Sequence, residues 1–266
     1  MIQSMKDAFS VSGLNVLITG GNSGIGKGIA EAFAECGANV AIMSRNEETG
    51  QAAAKEMSEK FNATVKYYRG DLLNRKDAET VVDAVVNDFG RIDVLVNNAG
   101  AVRWFESIEA DKNDFADWDD VIELDLSGVF VMSVFAAKHM RRQGWGSIIN
   151  ISSNAGEIVN LPQTTVSYSA AKAGVNHLTR MLAQEWAQYK IRVNCIAPGY
   201  TESNLTPKIG AEKYAELNEF WMERTPTGRR NKPIEIAAVA IYLASQASEQ
   251  TTGIVITVDG GYSLAN

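Results

Sequence analysis

Short apolar runs rich in β-branched residues alternate with longer amphipathic stretches, and this alternation constrains the fold more than any other feature. Strands that alternate with helices predict βαβ units and a parallel sheet, and right-handed crossovers place helices on both faces. The predicted fold class is therefore α/β, a doubly wound parallel sheet of about seven strands. The predicted strands are Asn15–Thr19, Asn39–Ser44, Val65–Arg69, Asp93–Asn97, Ser147–Ile151, Arg192–Ile196 and Val255–Val258. The predicted helices cover about 24–36, 47–61, 75–89, 114–142, 166–189 and 233–245.

The chain has 266 residues, which is long for one domain, yet an α/β sheet protein of this size can form a single unit. No linker interrupts it, and we predict one domain over residues 1–266. Residues 200–232 break the alternation with a segment of mixed charge that contains Trp221 and Met222. Such a segment forms either a binding loop or a helical excursion on the surface, and we predict a substrate loop.

Charge and cysteine content limit the partners and the compartment. The formal net charge of −7 argues against nucleic acid as a partner, because such binding usually needs a strong basic excess. No run reaches the ~18 apolar residues of a membrane span, and the start of the chain has no apolar secretory signal. Cys36 and Cys195 form no CxxC motif, so we expect no metal site and a reducing, cytoplasmic compartment.

A glycine-rich loop follows the first predicted strand and opens the first predicted helix. Gly24 and Gly26 allow the backbone to approach a phosphate closely, and the new helix offers free N–H groups and the positive end of its dipole. This arrangement predicts a dinucleotide site in a Rossmann-type fold. A nucleoside-triphosphate loop is the rival interpretation, but it requires Ser or Thr after Lys27, where this chain has Gly28.

Three motifs occur in order along the predicted sheet. They are Gly-x3-Gly-x-Gly at Gly20, Gly24 and Gly26, Asn-Asn-Ala-Gly at 97–100, and Tyr-x3-Lys at Tyr168 and Lys172. With these motifs the chain, over nearly its whole length, resembles the short-chain dehydrogenase/reductase family. The resemblance implies an NAD(P)-dependent enzyme that interconverts an alcohol and a carbonyl group of a small-molecule substrate, built on one dinucleotide-binding catalytic domain.

The end of the second predicted strand indicates which nicotinamide cofactor is bound. In dinucleotide folds an acidic residue there binds the ribose of NAD, whereas a nearby arginine accommodates the 2′-phosphate of NADP. This chain has Ser44 where NAD-dependent members of the family carry Asp, and Arg45 follows. A guanidinium can pair with a phosphate, and a hydroxyl can donate to it. We therefore predict NADP(H) rather than NAD(H).

The resemblance also implies the remaining cofactor contacts. Asp71 would contact the adenine edge, residues 98–100 would line the ribose, and the turn at 198–203 would meet the nicotinamide carboxamide. The complete predicted cofactor set is Gly20, Asn22, Ser23, Gly24, Ile25, Gly26, Ser44, Arg45, Asp71, Leu72, Asn98, Ala99, Gly100, Tyr168, Lys172, Pro198, Gly199, Thr201 and Ser203.

Tyr168 and Lys172 are four residues apart, so on a helix their side chains share one face and lie within reach of each other. A free tyrosine has a pKa near ~10, and a neighbouring ammonium lowers it by stabilising the phenolate. We predict that Tyr168 is the general acid and base, that Lys172 tunes its pKa, and that the cofactor supplies the hydride.

Two further residues complete the predicted catalytic set. The fifth predicted strand ends at Ser152 and Ser153, where open α/β sheets bind ligands, and a serine there can hydrogen-bond a substrate oxygen. Adjacent strand residues point to opposite faces, so only one should reach the pocket, and the family pattern selects Ser153. Asp125 stands where the family carries Asn, whose main-chain carbonyl holds a proton-relaying water. A carboxylate close to Lys172 would raise the pKa of that lysine.

The substrate is less constrained than the reaction. Segments 175–187 and 192–200 are similar to the sugar and polyol branch of the family, which includes sorbose reductases and mannitol dehydrogenases. We expect a sugar, polyol or keto acid, and the loop 157–165, longer than in many members, to shape one wall of the pocket. The aromatic residues suggest the alternative, a hydroxysteroid or other bulky alcohol, and Trp221 and Met222 are the best candidates to line the substrate pocket. A catalytically idle NADP-binding redox sensor is a remote alternative.

Members of the family usually form homotetramers, and the resemblance implies the same assembly here. The apolar run at 129–135 would be buried in one interface between subunits. Residues 252–261, which include the last predicted strand, would form a second.

Overall fold

The predicted strands form one parallel sheet in the computed structural model, which describes residues 4–203 and 211–264. The strands are β1 (Asn15–Thr19), β2 (Asn39–Ser44), β3 (Val65–Arg69), β4 (Val94–Asn97), β5 (Gly146–Ile151), β6 (Ile191–Pro198) and β7 (Val255–Val258). Their order across the sheet is β3-β2-β1-β4-β5-β6-β7, and every neighbouring pair is parallel. The prediction of a doubly wound α/β sheet is therefore confirmed.

Helices cover both faces of this sheet. The α-helices are α1 (Met5–Ala8), α2 (Gly24–Glu35), α3 (Glu47–Phe61), α4 (Arg75–Phe89), α5 (Ala116–Ile122), α6 (Gly128–Gln143), α7 (Val166–Trp186), α8 (Ala211–Glu223) and α9 (Pro233–Ala244). A π-helical turn, Glu123–Ser127, joins α5 to α6.

The central strand β1 is buried on both of its sides. Val16 and Ile18 pack in a cluster with residues of α2, α3 and α9, among them Phe33. Leu17 points to the other face and packs with residues of α4, α6 and α7, among them Met132. A strand covered on both faces needs a continuous apolar run rather than alternation, which explains the sequence of β1.

The position of the site follows from the order of the strands. The chain runs outward from β1 to β3 and then returns to place β4 on the other side of β1. Val16 pairs with Val94 and Ile18 with Val96, so β1 and β4 end side by side. Their following segments leave in opposite directions, which opens a crevice at the carboxyl edge of the sheet.

The predicted helix 114–142 is divided in the structure. Asp114 and Phe115 have left-handed backbone angles, φ 54° and 60°, so α5 begins only at Ala116. The π-helical turn then separates α5 from α6, and it contains the buried side chain of Asp125. Such turns have wider i→i+5 hydrogen bonding and are frequent at functional sites.

The segment 200–232 contains a full helix, α8, that the sequence did not delimit. This helix is not confined to the surface, because Trp221 is buried and lines the cleft with Tyr214, and the role of the segment as a substrate loop stays a prediction. Residues 204–210 of the predicted loop, and residues 1–3 and 265–266 of the predicted domain, lie outside the described residues.

Neither cysteine forms a disulfide: Cys36 is exposed and Cys195 is buried. Among the described residues, no helix combines the length and the apolar composition that a membrane crossing requires.

Candidate active site

The crevice holds a cleft of about 490 Å³ at the carboxyl edge of the sheet. The four predicted catalytic residues, Ser153, Tyr168, Lys172 and Asp125, all line it. The predicted cofactor residues that line it are Gly20, Asn22, Ser23, Gly24, Ile25, Ser44, Arg45, Asp71, Leu72, Asn98, Ala99, Gly100, Tyr168, Lys172, Pro198, Gly199, Thr201 and Ser203. One predicted cofactor residue, Gly26, does not line the cleft.

Gly26 packs beneath the glycine loop instead. A Cβ atom at this position would collide with the carbonyl oxygen of Gly20 and with the side-chain nitrogen of Asn98. That Asn98 nitrogen donates to the carbonyl oxygen of Thr19 at 3.0 Å, which ties the end of β4 to the end of β1. The structure therefore gives Gly26 a packing role where we predicted a direct cofactor contact.

The first turn of α2 is open toward the cleft. Its N-cap residue, Ser23, makes no side-chain hydrogen bond to the helix, and Gly24 and Ile25 line the cleft beside it. The left-handed φ of 53° at Gly24 is one that other residues rarely adopt. Free N–H groups at the positive end of a helix suit a pyrophosphate, so the residues present fit a dinucleotide.

The end of β2 adds a positive charge to the same cleft. Arg45 is exposed there and forms no ion pair with any described residue. Ser44 precedes it and donates from its hydroxyl to the carbonyl oxygen of Asn46 at 3.3 Å. No carboxylate side chain stands at this strand end, so the residues fit a phosphate better than a bare ribose diol.

Tyr168, Lys172 and Asp125 meet at the base of the cleft. Tyr168 and Lys172 lie one turn apart on α7, with Nζ of Lys172 5.4 Å from the centre of the tyrosine ring. The ammonium donates to the carbonyl oxygen of Ile151 at 3.1 Å and lies 3.1 Å from Oδ2 of Asp125. Oδ1 of Asp125 accepts from the N–H of Ala101 at 2.8 Å. Lys172 is 3% and Asp125 0% exposed, so this ion pair is shielded from water.

The pKa values of these groups follow from burial and from their mutual charges. Burial raises the pKa of Tyr168, and the Lys172 ammonium and a hydrogen bond with Ser153 oppose that rise without cancelling it. Burial acts to lower the pKa of Lys172, but the Asp125 carboxylate helps to outweigh it, so that pKa is raised. Burial raises the pKa of Asp125 against the charge of Lys172. We predicted a lowered pKa for Tyr168. The ammonium of Lys172 does act to lower this pKa, but burial raises it by more.

The two serines after β5 both line the cleft, although strand alternation predicted that only one would. The strand ends at Ile151, so alternation no longer governs the residues that follow. The hydroxyl of Ser152 already donates its proton within the protein, to the main-chain oxygen of Lys172 at 3.0 Å. Ser153 Oγ accepts from the N–H of Ala155 at 3.1 Å and hydrogen-bonds Tyr168. Only Ser153 therefore joins the tyrosine.

Most residues of one group in the cleft were not singled out individually from the sequence, Trp221 being the exception. The group comes from segments far apart in the chain and forms the wall opposite the glycine loop. Polar members are Asn154, Asn160, Gln163 and Arg230, and aromatic members are Trp104, Tyr200, Tyr214 and Trp221. Trp221 and Met222 were the two residues of segment 200–232 named from the sequence. Trp221 lines the cleft, whereas Met222 packs against the same hydrophobic cluster and does not line it. The long loop 157–165 and the irregular segment 200–232 were the available signals.

The fold and the cleft define a nicotinamide-dependent oxidoreductase. A family model described as "Enoyl-(Acyl carrier protein) reductase" matches residues 20–263. An NADP-dependent mannitol dehydrogenase of Hypocrea jecorina is 39% identical over 97% of this chain and 96% of its own length. A sorbose reductase of Schizosaccharomyces pombe is 41% identical over 97% of this chain and 99% of its own length.

The solved structures lead to the same class. A short-chain type dehydrogenase/reductase from Mycobacterium marinum matches with a TM-score of 0.91 and 35% identity, over 97% of this chain and 99% of its own. The chain belongs to the short-chain dehydrogenase/reductase family, and the resemblance inferred from its motifs is confirmed.

Proposed function

We propose that the protein is an NADP(H)-dependent oxidoreductase that interconverts a secondary alcohol and a ketone of a sugar, polyol or keto acid. The observation that carries this proposal is the cluster of Ser153, Tyr168, Lys172 and Asp125 in one cleft with the open turn of α2. Reduction adds a hydride to the carbonyl carbon and a proton to its oxygen, and oxidation removes both. NADP(H), when bound, supplies or accepts the hydride.

Each residue of the cluster has a distinct role in this proposal. The Tyr168 hydroxyl gives its proton to the carbonyl oxygen during reduction and takes a proton from the alcohol during oxidation. Ser153 donates to the same oxygen and steadies the charge that develops there. The Lys172 ammonium, held by Asp125 and the carbonyl oxygen of Ile151, stabilises the phenolate.

Arg45 is expected to determine the cofactor preference through the 2′-phosphate. Arg45→Gln should raise KM for NADPH by about 10- to 100-fold, the value of one charged hydrogen bond or ion contact. KM for NADH, which lacks this phosphate, should stay nearly constant. Arg69→Gln is the control, because Arg69 is also exposed near a strand end but does not line the cleft. A wild-type enzyme that clearly prefers NADH would contradict the assignment.

The substrate class is supported by the wall opposite the glycine loop. Asn154, Asn160 and Gln163 place amide groups in the cleft near Ser153, and amides hydrogen-bond hydroxyls in both directions. The mannitol dehydrogenase and the sorbose reductase above are relatives over nearly the whole chain. The described part of segment 200–232 contributes Tyr200, Tyr214 and other wall residues, so we propose that it forms the substrate side of the single domain.

The proposal is tested by following NADPH oxidation by the full chain with three sets of carbonyl compounds. The sets are ketoses, ketoaldonates and ketosteroids. We expect turnover with members of the first two sets. Turnover confined to ketosteroids would favour the bulky-alcohol alternative. The observation that supports this alternative is the four aromatic side chains that line the cleft. NADPH binding without turnover of any of them would favour the idle sensor.

A homotetramer is proposed from apolar surface on the helices next to the cleft. Trp118 on α5, Phe130 on α6 and Met181 on α7 are 37%, 45% and 54% exposed. Apolar side chains grouped on neighbouring helices favour burial against another subunit. Sedimentation equilibrium should give about four times the 28.9 kDa chain mass, and Phe130→Glu should lower that mass. A monomeric wild-type protein would contradict this assembly.

The compartment and the excluded partners are proposals of the same kind. The two cysteines without a disulfide and the net charge of −7 support a cytoplasmic protein that does not use nucleic acid as a partner. Imaging of the tagged full chain tests the compartment, and a secreted product would contradict it.

A further inference from the structure

Arg230 places a guanidinium in the substrate wall of the cleft without a carboxylate partner among the described residues. Its Nε donates to Oδ1 of Asn218 at 2.7 Å, and its guanidinium lies 5.1 Å from the centre of the Tyr214 ring. These two contacts orient the group and leave both terminal nitrogens, Nη1 and Nη2, without a described acceptor. Two parallel N–H donors of this kind match the two oxygens of a carboxylate.

The backbone around Arg230 is fixed to the strand end that forms the site. The N–H of Asn231 donates to the carbonyl oxygen of Tyr200 at 2.8 Å, and the N–H of Glu202 donates to that of Asn231 at 2.9 Å. Arg230 therefore sits beside the turn that follows β6. Its neighbour Arg229 is engaged differently, in an ion pair with Glu235 at 2.6 Å on the surface. On this wall of the cleft the unpaired charge is thus that of Arg230 and not that of Arg229.

Unsatisfied donors accompany this charge. Trp221 is 3% exposed and Asn154 2% exposed, both line the cleft, and neither Nε1 of Trp221 nor Nδ2 of Asn154 has an acceptor among the described residues. The indole packs face to face on Tyr200 at 4.4 Å and edge-on to Tyr214, the ring under Arg230. A buried donor without an acceptor destabilises the folded protein, and a bound acceptor would remove that destabilisation.

The acidic residues of the cleft are already engaged or remote from this wall. Asp125 is paired with Lys172, and Asp71 lies after β3, on the other side of β1 from β6. An indole and a guanidinium can only donate, whereas an ionised carboxylate can only accept. The donor set is therefore complementary to an anionic acceptor and not to a hydroxyl alone. One acceptor, Oδ1 of buried Asn160, is also unsatisfied and suits a hydroxyl of the same molecule.

We propose that Arg230 binds a carboxylate of the substrate, so that the enzyme acts on a hydroxylated keto acid in preference to a neutral sugar or polyol. This inference rests on the proposed function, since it selects among the substrate classes named there. Arg230 is a specificity-determining residue that contacts the substrate away from the reacting carbon.

Binding to the NADPH-loaded full chain separates charge recognition from turnover, because the reduced cofactor cannot accept a hydride from an alcohol. D-Gluconate and D-sorbitol differ only in a carboxylate or a CH₂OH group at one end. Isothermal titration should give a Kd for D-gluconate at least about tenfold lower than for D-sorbitol. Arg230→Gln should raise the Kd for D-gluconate by about 10- to 100-fold and change that for D-sorbitol by less than about threefold.

Two further variants keep the result interpretable. Arg230→Lys retains the charge and should recover part of the affinity for D-gluconate, which a misfolded variant would not do. Arg224→Gln removes a guanidinium that also lies over an aromatic ring, 3.5 Å from the centre of Phe220, but that does not line the cleft. It should leave both Kd values unchanged.

Reduction of 5-keto-D-gluconate and L-sorbose, the corresponding pair of ketones, completes the test. We expect a lower KM for the keto acid and loss of that advantage in Arg230→Gln. Equal binding of D-gluconate and D-sorbitol by the wild type, or a preference that survives Arg230→Gln, overturns the inference while leaving the proposed function intact. Binding of D-gluconate that depends on Arg230, without reduction of either ketone, instead overturns the proposed function.

Discussion

Tyr168→Phe is expected to lower kcat for carbonyl reduction by about 100- to 10,000-fold, the range that general acid–base catalysis contributes. The substitution removes one oxygen atom, which hydrogen-bonds Ser153 and would otherwise supply the proton. The aromatic ring at position 168 of α7 is retained, so the cleft keeps its shape. Steady-state rates of NADPH oxidation with a ketose or a ketoaldonate give the effect on kcat.

NADPH binding by the same variant distinguishes chemistry from folding. The glycine loop and Arg45 lie at the other end of the cleft, so the Kd measured by NADPH fluorescence should change by less than about threefold. Tyr189→Phe is the matched control, because that ring follows α7 and contacts Arg141 outside the cleft. It should leave kcat unchanged. Turnover that survives in Tyr168→Phe would exclude Tyr168 as the proton donor.

Most of the strands could be predicted because they are short apolar runs, and several of them end at the motifs of the site. β1 and β2 have the predicted boundaries, and β6 extends two residues further than predicted, to Pro198. The pairing of Tyr168 with Lys172 could also be predicted, since residues four apart on a helix share a face. Local periodicity is enough for features of this kind.

The arrangement of the substrate wall could not be predicted from the sequence, because its residues come together only in the folded chain. Asn154 and Asn160 belong to the loop after β5, whereas Trp221 lies in the last turn of α8 and Arg230 follows that helix. The donors that lack partners are recognisable only once every neighbour is known. The π-helical turn at Asp125 was missed for the same reason. Its side chain turns toward Lys172 and Ala101, which are distant in sequence.

Asp125→Asn is expected to shift the pH dependence of alcohol oxidation to lower pH. The carboxylate raises the pKa of both Lys172 and Tyr168, so an uncharged amide should lower both values. Oxidation requires Tyr168 to accept a proton, and the acidic limb of kcat against pH reports its loss of a proton. That limb should therefore move to lower pH in the variant. A residue that only packs would leave the profile in place.

Asp125→Ala is expected to reduce the free energy of unfolding by about 3–5 kcal/mol, because it leaves the buried Lys172 ammonium without its partner. Urea denaturation measures the loss. Glu59→Ala is the control: its ion pair with Lys55 spans 3.9 Å but is exposed, and removing it should cost at most about 1 kcal/mol.

The double variant Asp125→Leu with Lys172→Met identifies the cause of that loss. Removing both charges leaves no buried ion without its partner at this position, so the double variant should be more stable than either single variant, although inactive. If the two losses simply add, the carboxylate stabilises through Ala101 and local packing rather than through Lys172. Recovery of stability without recovery of activity would show that the pair is retained because it holds the ammonium beside Tyr168.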